Sequence, residues 1–232
     1  MRAKDWAVVI PTLDEEGEIG ACLDAIGNHS EVEVVVSDGG SSDATRKIAL
    51  RSGALIVEGG AGRGPQLNRG AAASSARRML FLHADCRLPK DWLPAVSEAV
   101  EDRDNALACF CLHTEPSRGE ETSVLYRFWL RFFDLGSRGF RLPYGDQGFA
   151  LRQEVFDRIG GFPDIPLMED LAFARACARI GRVFTIPMEV RTTARRFERH
   201  PVRTAMIFAT FPTLFRLGVS PEKLARWYRR EE

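Results

Sequence analysis

Short apolar runs rich in β-branched residues alternate with stretches of helical length through the first half of this 232-residue chain. That alternation restricts the fold more than any other feature. "WAVVI" (6–10), "VEVVV" (32–36), "ALIV" (54–57) and "MLFL" (79–82) read as strands bounded by turn residues. The segments near 17–27, 43–52 and 65–76 have the length and composition of helices. Strands alternating with helices close right-handed β-α-β units, whose strands lie parallel in one sheet with helices on both faces. "DWLPAVSEAVED" adds a helix with Asp91 as its N-cap, and "ALACFCLH" (106–113) adds a buried strand. The expected class is α/β, with a mostly parallel central sheet flanked by helices.

Beyond about Glu115 the texture changes. "SVLYRFWLRFFDLG" is aromatic and helical in spacing, and "YGDQGFALR" is strand-like. "QEVFDRIGG" reads as a short helix ended by glycines. "MEDLAFARACARIG" begins with acids and ends with bases, which suits the helix dipole. Two more helices are expected near 201–217 and 221–230, in an Arg-rich tail. No repeat, low-complexity tract or linker interrupts the chain, so one domain over 1–232 is the economical reading.

Lys+Arg and Asp+Glu both total 32, and the absence of a basic excess argues against nucleic acid as a partner. The five cysteines (Cys22, Cys86, Cys109, Cys111, Cys177) form no C-x-x-C pair, which fits a reduced, cytoplasmic setting. Cys109 and Cys111 alternate along an expected strand and would share one face as small core residues. The opening Met1–Asp5 does not resemble a signal peptide. No segment approaches the ~20 apolar residues of a membrane-spanning helix. The nearest, "AMIFATFPTLF", is interrupted by Pro212.

Ligands of open parallel sheets bind beyond the carboxyl ends of the strands. Here those ends read "PTLDEEGE", "SDGGSSDAT", "EGGAGRGPQLN" and "HADCRLP". Three carry carboxylates in glycine- or proline-shaped turns, and the third end places Arg63 among glycines. Such a cluster suits a nucleotide with a metal-bridged diphosphate. Each piece also has a plain structural reading. Asp14, Glu15 and Glu16 can begin a helix, where acids are favourable. Ser41, Ser42 and Asp43 are good capping residues. The Gly-rich loop can be only a loop, and Asp85 can simply terminate a strand. Asp38 is harder to set aside, because it precedes its glycines. "PLMED" puts Glu169 and Asp170 in the first turn of a helix, as caps or as a general base, a role that contributes roughly 10²–10⁴ in rate.

Together, "PTLDEE", "VVSDGGSSDAT", "GPQLNRGA", "LFLHAD" and "YGDQGFALRQEVFDRIGGFPDIPLMEDLAFARACARIGR" resemble glycosyltransferase family two, inverting sugar transferases of the Rossmann-like GT-A fold. The likeness covers roughly residues 6 to 185, and several motifs fall in the family's order. The "HAD" and "YGDQG" spellings are similar to the radical-SAM/selenodomain-associated, arsenosugar-biosynthesis subgroup. The resemblance implies a nucleotide-binding half (1–115), an acceptor and catalytic half (116–200) and a helical tail (201–232). It places Pro11, Thr12 and Leu13 near the nucleotide base, Glu15 at the ribose and Asp38 on a uracil ring. Arg63 and Asn68 flank base and sugar. Asp85 matches the last aspartate of an Asp-x-Asp motif, which binds the cation on the donor's diphosphate. Asp170 matches the catalytic base, with Glu169 beside it. Gly145, Asp146 and Gln147 fall at the donor-sugar and acceptor pocket.

Two departures matter. His83 stands at the first Asp-x-Asp position; imidazole suits Mn²⁺ better than Mg²⁺, so the cation is Mn²⁺ or Mg²⁺, or His83 contacts donor phosphate or sugar instead. Leu13 stands where an aromatic is common. "RRFERH" (195–200) matches a basic segment that closes over the diphosphate, through Arg195, Arg196 and Arg199, with His200 reaching the metal; a solvated basic face is the other reading. The implied reaction is direct displacement on a nucleotide-diphosphate sugar, a UDP-sugar, with inversion and a small acceptor. A sugar-1-phosphate nucleotidyltransferase would carry its Gly-rich basic loop directly after strand one, where this chain has "PTLDEE". A non-catalytic sugar-nucleotide binder is the third class. The stretches "VLYRFWLRFF" and "MIFATFPTLF" suit a core, a homodimer contact or a membrane surface.

Overall fold

The computed structural model describes residues 4–116, 130, 131, 134, 142–195 and 201–229. In chain order the elements are β1 (Trp6–Thr12), α1 (Ile19–Ile26), β2 (Val32–Asp38), α2 (Thr45–Arg51), β3 (Leu55–Glu58), α3 (Arg63–Ala72), β4 (Arg78–Phe81), β5 (Cys86–Arg87), α4 (Trp92–Glu101) and β6 (Asn105–Glu115). A 3-10 turn (Gly145–Gln147) leads into β7 (Phe149–Arg152), α5 (Gln153–Ile159), α6 (Glu169–Ala178), β8 (Arg182–Thr193), α7 (Pro201–Arg216) and α8 (Pro221–Arg229).

One eight-stranded sheet has the order β3-β2-β1-β4-β7-β6-β8-β5. The β-α-β half is parallel, as its alternation dictates: β2 and β4 flank β1, and β3 extends β2. The second half makes the sheet mixed. β7 inserts antiparallel between β4 and β6, and β8 runs parallel to β6. The carboxyl ends of β1, β2, β4, β6 and β8 and the amino end of β7 therefore share one edge. "YGDQGFALR" divides accordingly, into the 3-10 turn at that edge and the short strand β7.

β1 is apolar almost throughout because both faces of the sheet are covered. Trp6, Val8 and Ile10 enter one core with α1 and α4, while Ala7 and Val9 enter the other with α3 and α6. Gly70 allows α3 to approach β1; a Cβ there would lie 2.4 Å from Val9 Cγ1. In the second core Phe81, Phe149, Phe162 and Phe173 interlock, with the Phe162 and Phe173 rings stacked 3.8 Å apart. That stack fixes α6, and so whatever the first turn of α6 presents.

Asp91 precedes α4 as expected, but it adopts a left-handed conformation (φ 57) and makes no side-chain cap bond. Cys109 and Cys111 do share a face, each thiol meeting a β8 carbonyl, at Phe184 and Ile186. Of the aromatic stretch 123–136, Leu130, Arg131 and Asp134 fall within the described residues, all helical. Among the described residues no helix is long and apolar enough to cross a membrane.

Candidate active site

The loops after β1 and β2 are stapled to each other. The Asp14 amide donates to Ser41 Oγ, the Glu15 amide to Thr45 Oγ1 and the Glu16 amide to Asp43 Oδ2. In return the Ser42 amide donates to Asp14 Oδ1 and the Ala44 amide to Glu16 Oε2. The acids of "LDEE" thus close a two-loop shelf, and Glu16 satisfies an amide at the start of α2, a distant version of a capping bond. Leu13, on the same loop, is 47% exposed.

Asp38, fully buried, anchors the shelf from below. Oδ1 accepts from the Gly40 and Ser41 amides at 3.0 and 2.8 Å, and Oδ2 accepts from the hydroxyls of Thr12 and Ser41. Burial alone would raise its pKa, but the bonds from Ser41, Gly40 and Thr12 outweigh it and hold the carboxyl below its ordinary value. Four acceptor positions of a carboxylate are then filled. Asp38 therefore holds the turn after β2 in place.

Gln66 was not among the expected site residues. Its Nε2 donates to the carbonyls of Thr12 and Ser37 at 2.8 and 2.9 Å, and its Oε1 accepts from the Gly62 amide. One buried amide thereby joins the ends of β1 and β2 to the loop before α3. The signal was present in the sequence, as a polar residue on the stripe of small and apolar residues (Gly64, Leu67, Gly70, Ala71) that α3 buries. Asn68 is also spent on structure: it donates to the Phe162 carbonyl and accepts from the Phe162 amide, both at 2.8 Å. Gln147 likewise bonds the Tyr144 amide and the Phe110 carbonyl.

Asp85 lies half-buried in the turn between β4 and β5. The turn is braced on several sides. Arg87 donates to the carbonyls of Ala84 and Cys86 and pairs with Glu18 at 2.5 Å. Cys86 Sγ donates to the Asp146 carbonyl, and Cys22 Sγ to the His83 carbonyl. Burial raises the Cys22 thiol to about 12 and the Cys86 thiol well above its usual value, so both are neutral braces and not thiolate ligands.

Asp170 and Glu169 open α6, after Met168 in a left-handed conformation (φ 67). Asp170 Oδ2 accepts from the Gly145 amide at 3.0 Å and Oδ1 from the Leu171 amide at 2.7 Å. Glu169, 2% exposed, turns inward to Arg63 Nη1 at 3.0 Å. Burial raises the Glu169 pKa against the lowering effect of Arg63. The Arg63 guanidinium, whose pKa burial would lower, is held above its ordinary value by Glu169, Asp170 and Asp85 together. Arg195, just past β8, reaches Glu15 Oε2 at 3.0 Å and is likewise raised, against burial, by Glu15, Asp85 and Glu18.

The two carboxylates far apart in sequence thus act on one guanidinium. Arg63, His83, Gly145 and Asp170 line a cavity of about 10 Å³ floored by Phe81 and Phe149, room for about one water. Gly145 keeps its neighbours close; a Cβ there would lie 2.9 Å from His83 Nε2 and 3.4 Å from Asp170 Cβ. Pro11, Thr12, Glu15, Asp38, Asp85, Asp146, Asp170 and Arg195 all lie at the common edge of the sheet. Arg196, Arg199 and His200 lie outside the described residues. Among the described residues no three His, Cys, Asp or Glu side chains group closely enough to cage a metal ion.

Residues 7–162 match the family model described as Glycosyl transferase family 2. A "PGL/p-HBAD biosynthesis glycosyltransferase" of Mycobacterium bovis (strain BCG / Pasteur 1173P2) is 30% identical over 175 residues, covering 70% of this chain and 64% of that protein. The chain thus spans a little under two thirds of that relative's length. "Glycosyltransferase AglE" of Haloferax volcanii is 33% identical over 98 residues, 38% of this chain and 32% of its own. Among solved structures, the mannosyltransferase PcManGT from Pyrobaculum calidifontis, in complex with GDP-Man and Mn²⁺, superposes with a TM-score of 0.68 at 22% identity, over 96% of this chain and 67% of that one. S. aureus TarS 1-349 in complex with UDP gives 0.61 at 17% identity, over 81% and 60%. Both likenesses are of fold, and they are GT-A-like.

Proposed function

The chain belongs to glycosyl transferase family 2, and from that premise we propose that it is an inverting glycosyltransferase moving a sugar from a nucleotide-diphosphate sugar, a UDP-sugar, to a small acceptor. The observation that carries this reading is the convergence on Arg63: Glu169 binds it, and Asp170 and Asp85 stand close enough to raise its pKa. A single cleft then offers a carboxylate for a cation beside the leaving group and another for the incoming nucleophile. The PcManGT complex with GDP-Man and Mn²⁺ and the TarS complex with UDP support a nucleotide sugar and a divalent cation as partners. The arsenosugar-type spellings support a small acceptor.

Pro11, Thr12 and Leu13 wall the nucleoside, with Glu15 at the ribose. Asp38 and Gln66 hold the shelf beneath it, and Asn68 and Gln147 hold the surrounding backbone. The acceptor oxygen bonds to the anomeric carbon as the bond from that carbon to the diphosphate oxygen breaks, and Asp170 takes the acceptor's proton. The Gly145 and Leu171 amides orient its two oxygens for this. Glu169, buried against Arg63, is a positioning residue in this scheme. Arg63 and Arg195 balance charge growing on the departing diphosphate, the kind of electrostatic help that is often the largest catalytic contribution.

The donor set fits a hard cation. Asp85 offers one half-buried carboxylate and its cysteine neighbours are neutral, whereas Mg²⁺-type ions are commonly bound by one or two carboxylates with substrate phosphates and water completing the shell. When bound, Mn²⁺ or Mg²⁺ would neutralise the diphosphate at Asp85. His200 and Arg196 are proposed to join it from the segment after Arg195.

The test presents a panel of UDP- and GDP-sugars with small hydroxyl acceptors and follows nucleoside diphosphate release. Asp170→Asn is expected to lower turnover by roughly 10²–10⁴ while leaving nucleotide binding intact. Near-normal turnover in that variant, or a product that keeps the donor's anomeric configuration, would overturn the proposal.

A further inference from the structure

Helices α7 and α8 form an antiparallel hairpin whose inner face buries Phe211, Leu224 and Ala225. Its turn is well made. Gly218 takes the left-handed conformation (φ 92), the Val219 amide returns to the Leu214 carbonyl, and Ser220 with Pro221 opens α8. At the other end Arg203 donates to the Tyr228 carbonyl and lies over the Tyr228 ring.

Two properties of this hairpin occur together. The first is charge. Between Pro201 and Arg229 the sequence has five basic residues (Arg203, Arg216, Lys223, Arg226, Arg229) and one acid (Glu222), a net charge of +4 in a chain whose total is zero. The second is exposure of large apolar side chains among those bases. Met206 is 62% exposed, Leu217 in the turn 77% and Trp227 37%. Lys223 Nζ sits 5.2 Å above the Trp227 ring, so cation and aromatic face solvent as one unit.

We propose that the α7–α8 hairpin docks on an anionic lipid surface, with the indole of Trp227 and the side chains of Leu217 and Met206 entering the interface and Lys223 and Arg226 meeting the headgroups. Basic side chains together with exposed Trp, Leu and Met on one helical hairpin are what an interfacial element needs, and each Lys or Arg near an anionic surface strengthens binding about fivefold. Charge decides against a second copy as occupant. A two-fold contact sets the same patch against itself, and would bring two net-basic hairpins together. The aliphatic exposure at Leu217 and Met206 favours hydrocarbon over nucleic acid, whose bases would find a stacking surface in Trp227 alone of the three. The surface adjoins the candidate active site: Arg216, the last residue of α7, stands near enough to act on Tyr144, whose hydroxyl burial pushes up to about 12 against the opposing charge of Arg216, and Tyr144 precedes the Gly145 that bonds Asp170.

The experiment is co-sedimentation of the full chain with vesicles at low ionic strength, and it needs no sugar nucleotide, so its outcome is separate from that of the transfer assay. Wild-type protein is expected to pellet with mixed phosphatidylglycerol–phosphatidylcholine vesicles, to stay in solution with phosphatidylcholine alone, and to be released by salt. The K223E/R226E double variant and, separately, W227S are expected to weaken binding by roughly tenfold or more. The wild-type salt series carries the test even if a variant misfolds. No pelleting with the anionic vesicles, or pelleting that neither salt nor these substitutions reduce, would overturn the proposal. So would a doubling of solution mass that W227S abolishes, or preferential displacement of the protein from vesicles onto duplex DNA.

Discussion

Asp38 shows how little a carboxylate's identity says before its surroundings are known. Its oxygens are filled by Thr12, Gly40 and Ser41, and those bonds hold its pKa below the unfolded value. The folded state therefore gives up this proton more readily than the unfolded chain, so the stability it confers is present above about pH 3.9 and is lost as pH falls through the folded value. Urea unfolding between neutral pH and about pH 3 should show a falling stability whose slope is shallower in Asp38→Asn, itself about 1–3 kcal/mol less stable at neutral pH. Gly145 is the opposite kind of residue, needed for what it lacks. In Gly145→Ala the new methyl would press on His83 Nε2 and Cε1 and come into contact with Asp170 Cβ. Turnover is expected to fall about 10²-fold as His83 is displaced beside Asp170, the proposed base, with the thermal midpoint nearly unchanged; calorimetry beside steady-state kinetics separates the two effects.

At the scale of elements, the site depends on how α3 and α6 are held against each other. Phe162 and Phe173 fix α6 to the sheet, Gly70 brings α3 onto β1, and the Arg63–Glu169 pair ties the two helix starts together. Glu169 is buried and Arg63 about a third exposed, so removing Arg63 strands a buried carboxylate. Arg63→Met should cost about 3 kcal/mol at neutral pH, the low end of such losses, because Glu169 can escape by taking up a proton. Glu169 already has a raised pKa from burial. A folded-state pKa above the unfolded one contributes stability that is present at low pH and lost as pH rises through the folded value. Denaturant unfolding of Arg63→Met should accordingly recover stability in mild acid, which the Glu169→Gln/Arg63→Met double variant would not do.

Over the whole molecule, the mixed sheet brings the ends of both halves to one edge. β7 is the hinge of that arrangement. By running antiparallel between β4 and β6 it delivers Gly145–Gln147 to the edge already occupied by the ends of β1, β2 and β4. A nucleotide bound there should stabilise the fold as a unit. At about 100 times its dissociation constant it adds ~2.7 kcal/mol, which for a chain of this size raises the thermal midpoint by about 5–10 °C. UDP with Mn²⁺ is expected to give that shift and UMP much less. A response confined to GDP would redirect the donor assignment without touching the fold.

The parallel half was legible in the chain itself, because alternating β-branched runs and helical stretches leave a polypeptide few ways to bury both faces of a sheet. Strands β1 to β4 and helices α1 to α4 fall within a few residues of where periodicity puts them, while the two-residue β5 has no such signal. The carboxylate-bearing ends were legible for the same reason, since a strand's end follows from its apolar run. Tertiary structure alone decided which polar groups are spent and which stay open. Asp38, Asn68, Gln147 and Glu169 look in sequence like ligand-binding residues, yet each is engaged by backbone or by Arg63. Gln66 looks incidental and joins two strands and a loop. A hydrogen bond between residues 94 apart, as from Asn68 to Phe162, depends on where α3 and the loop after α5 come to rest. Local propensity and pattern do not contain that distance; packing sets it.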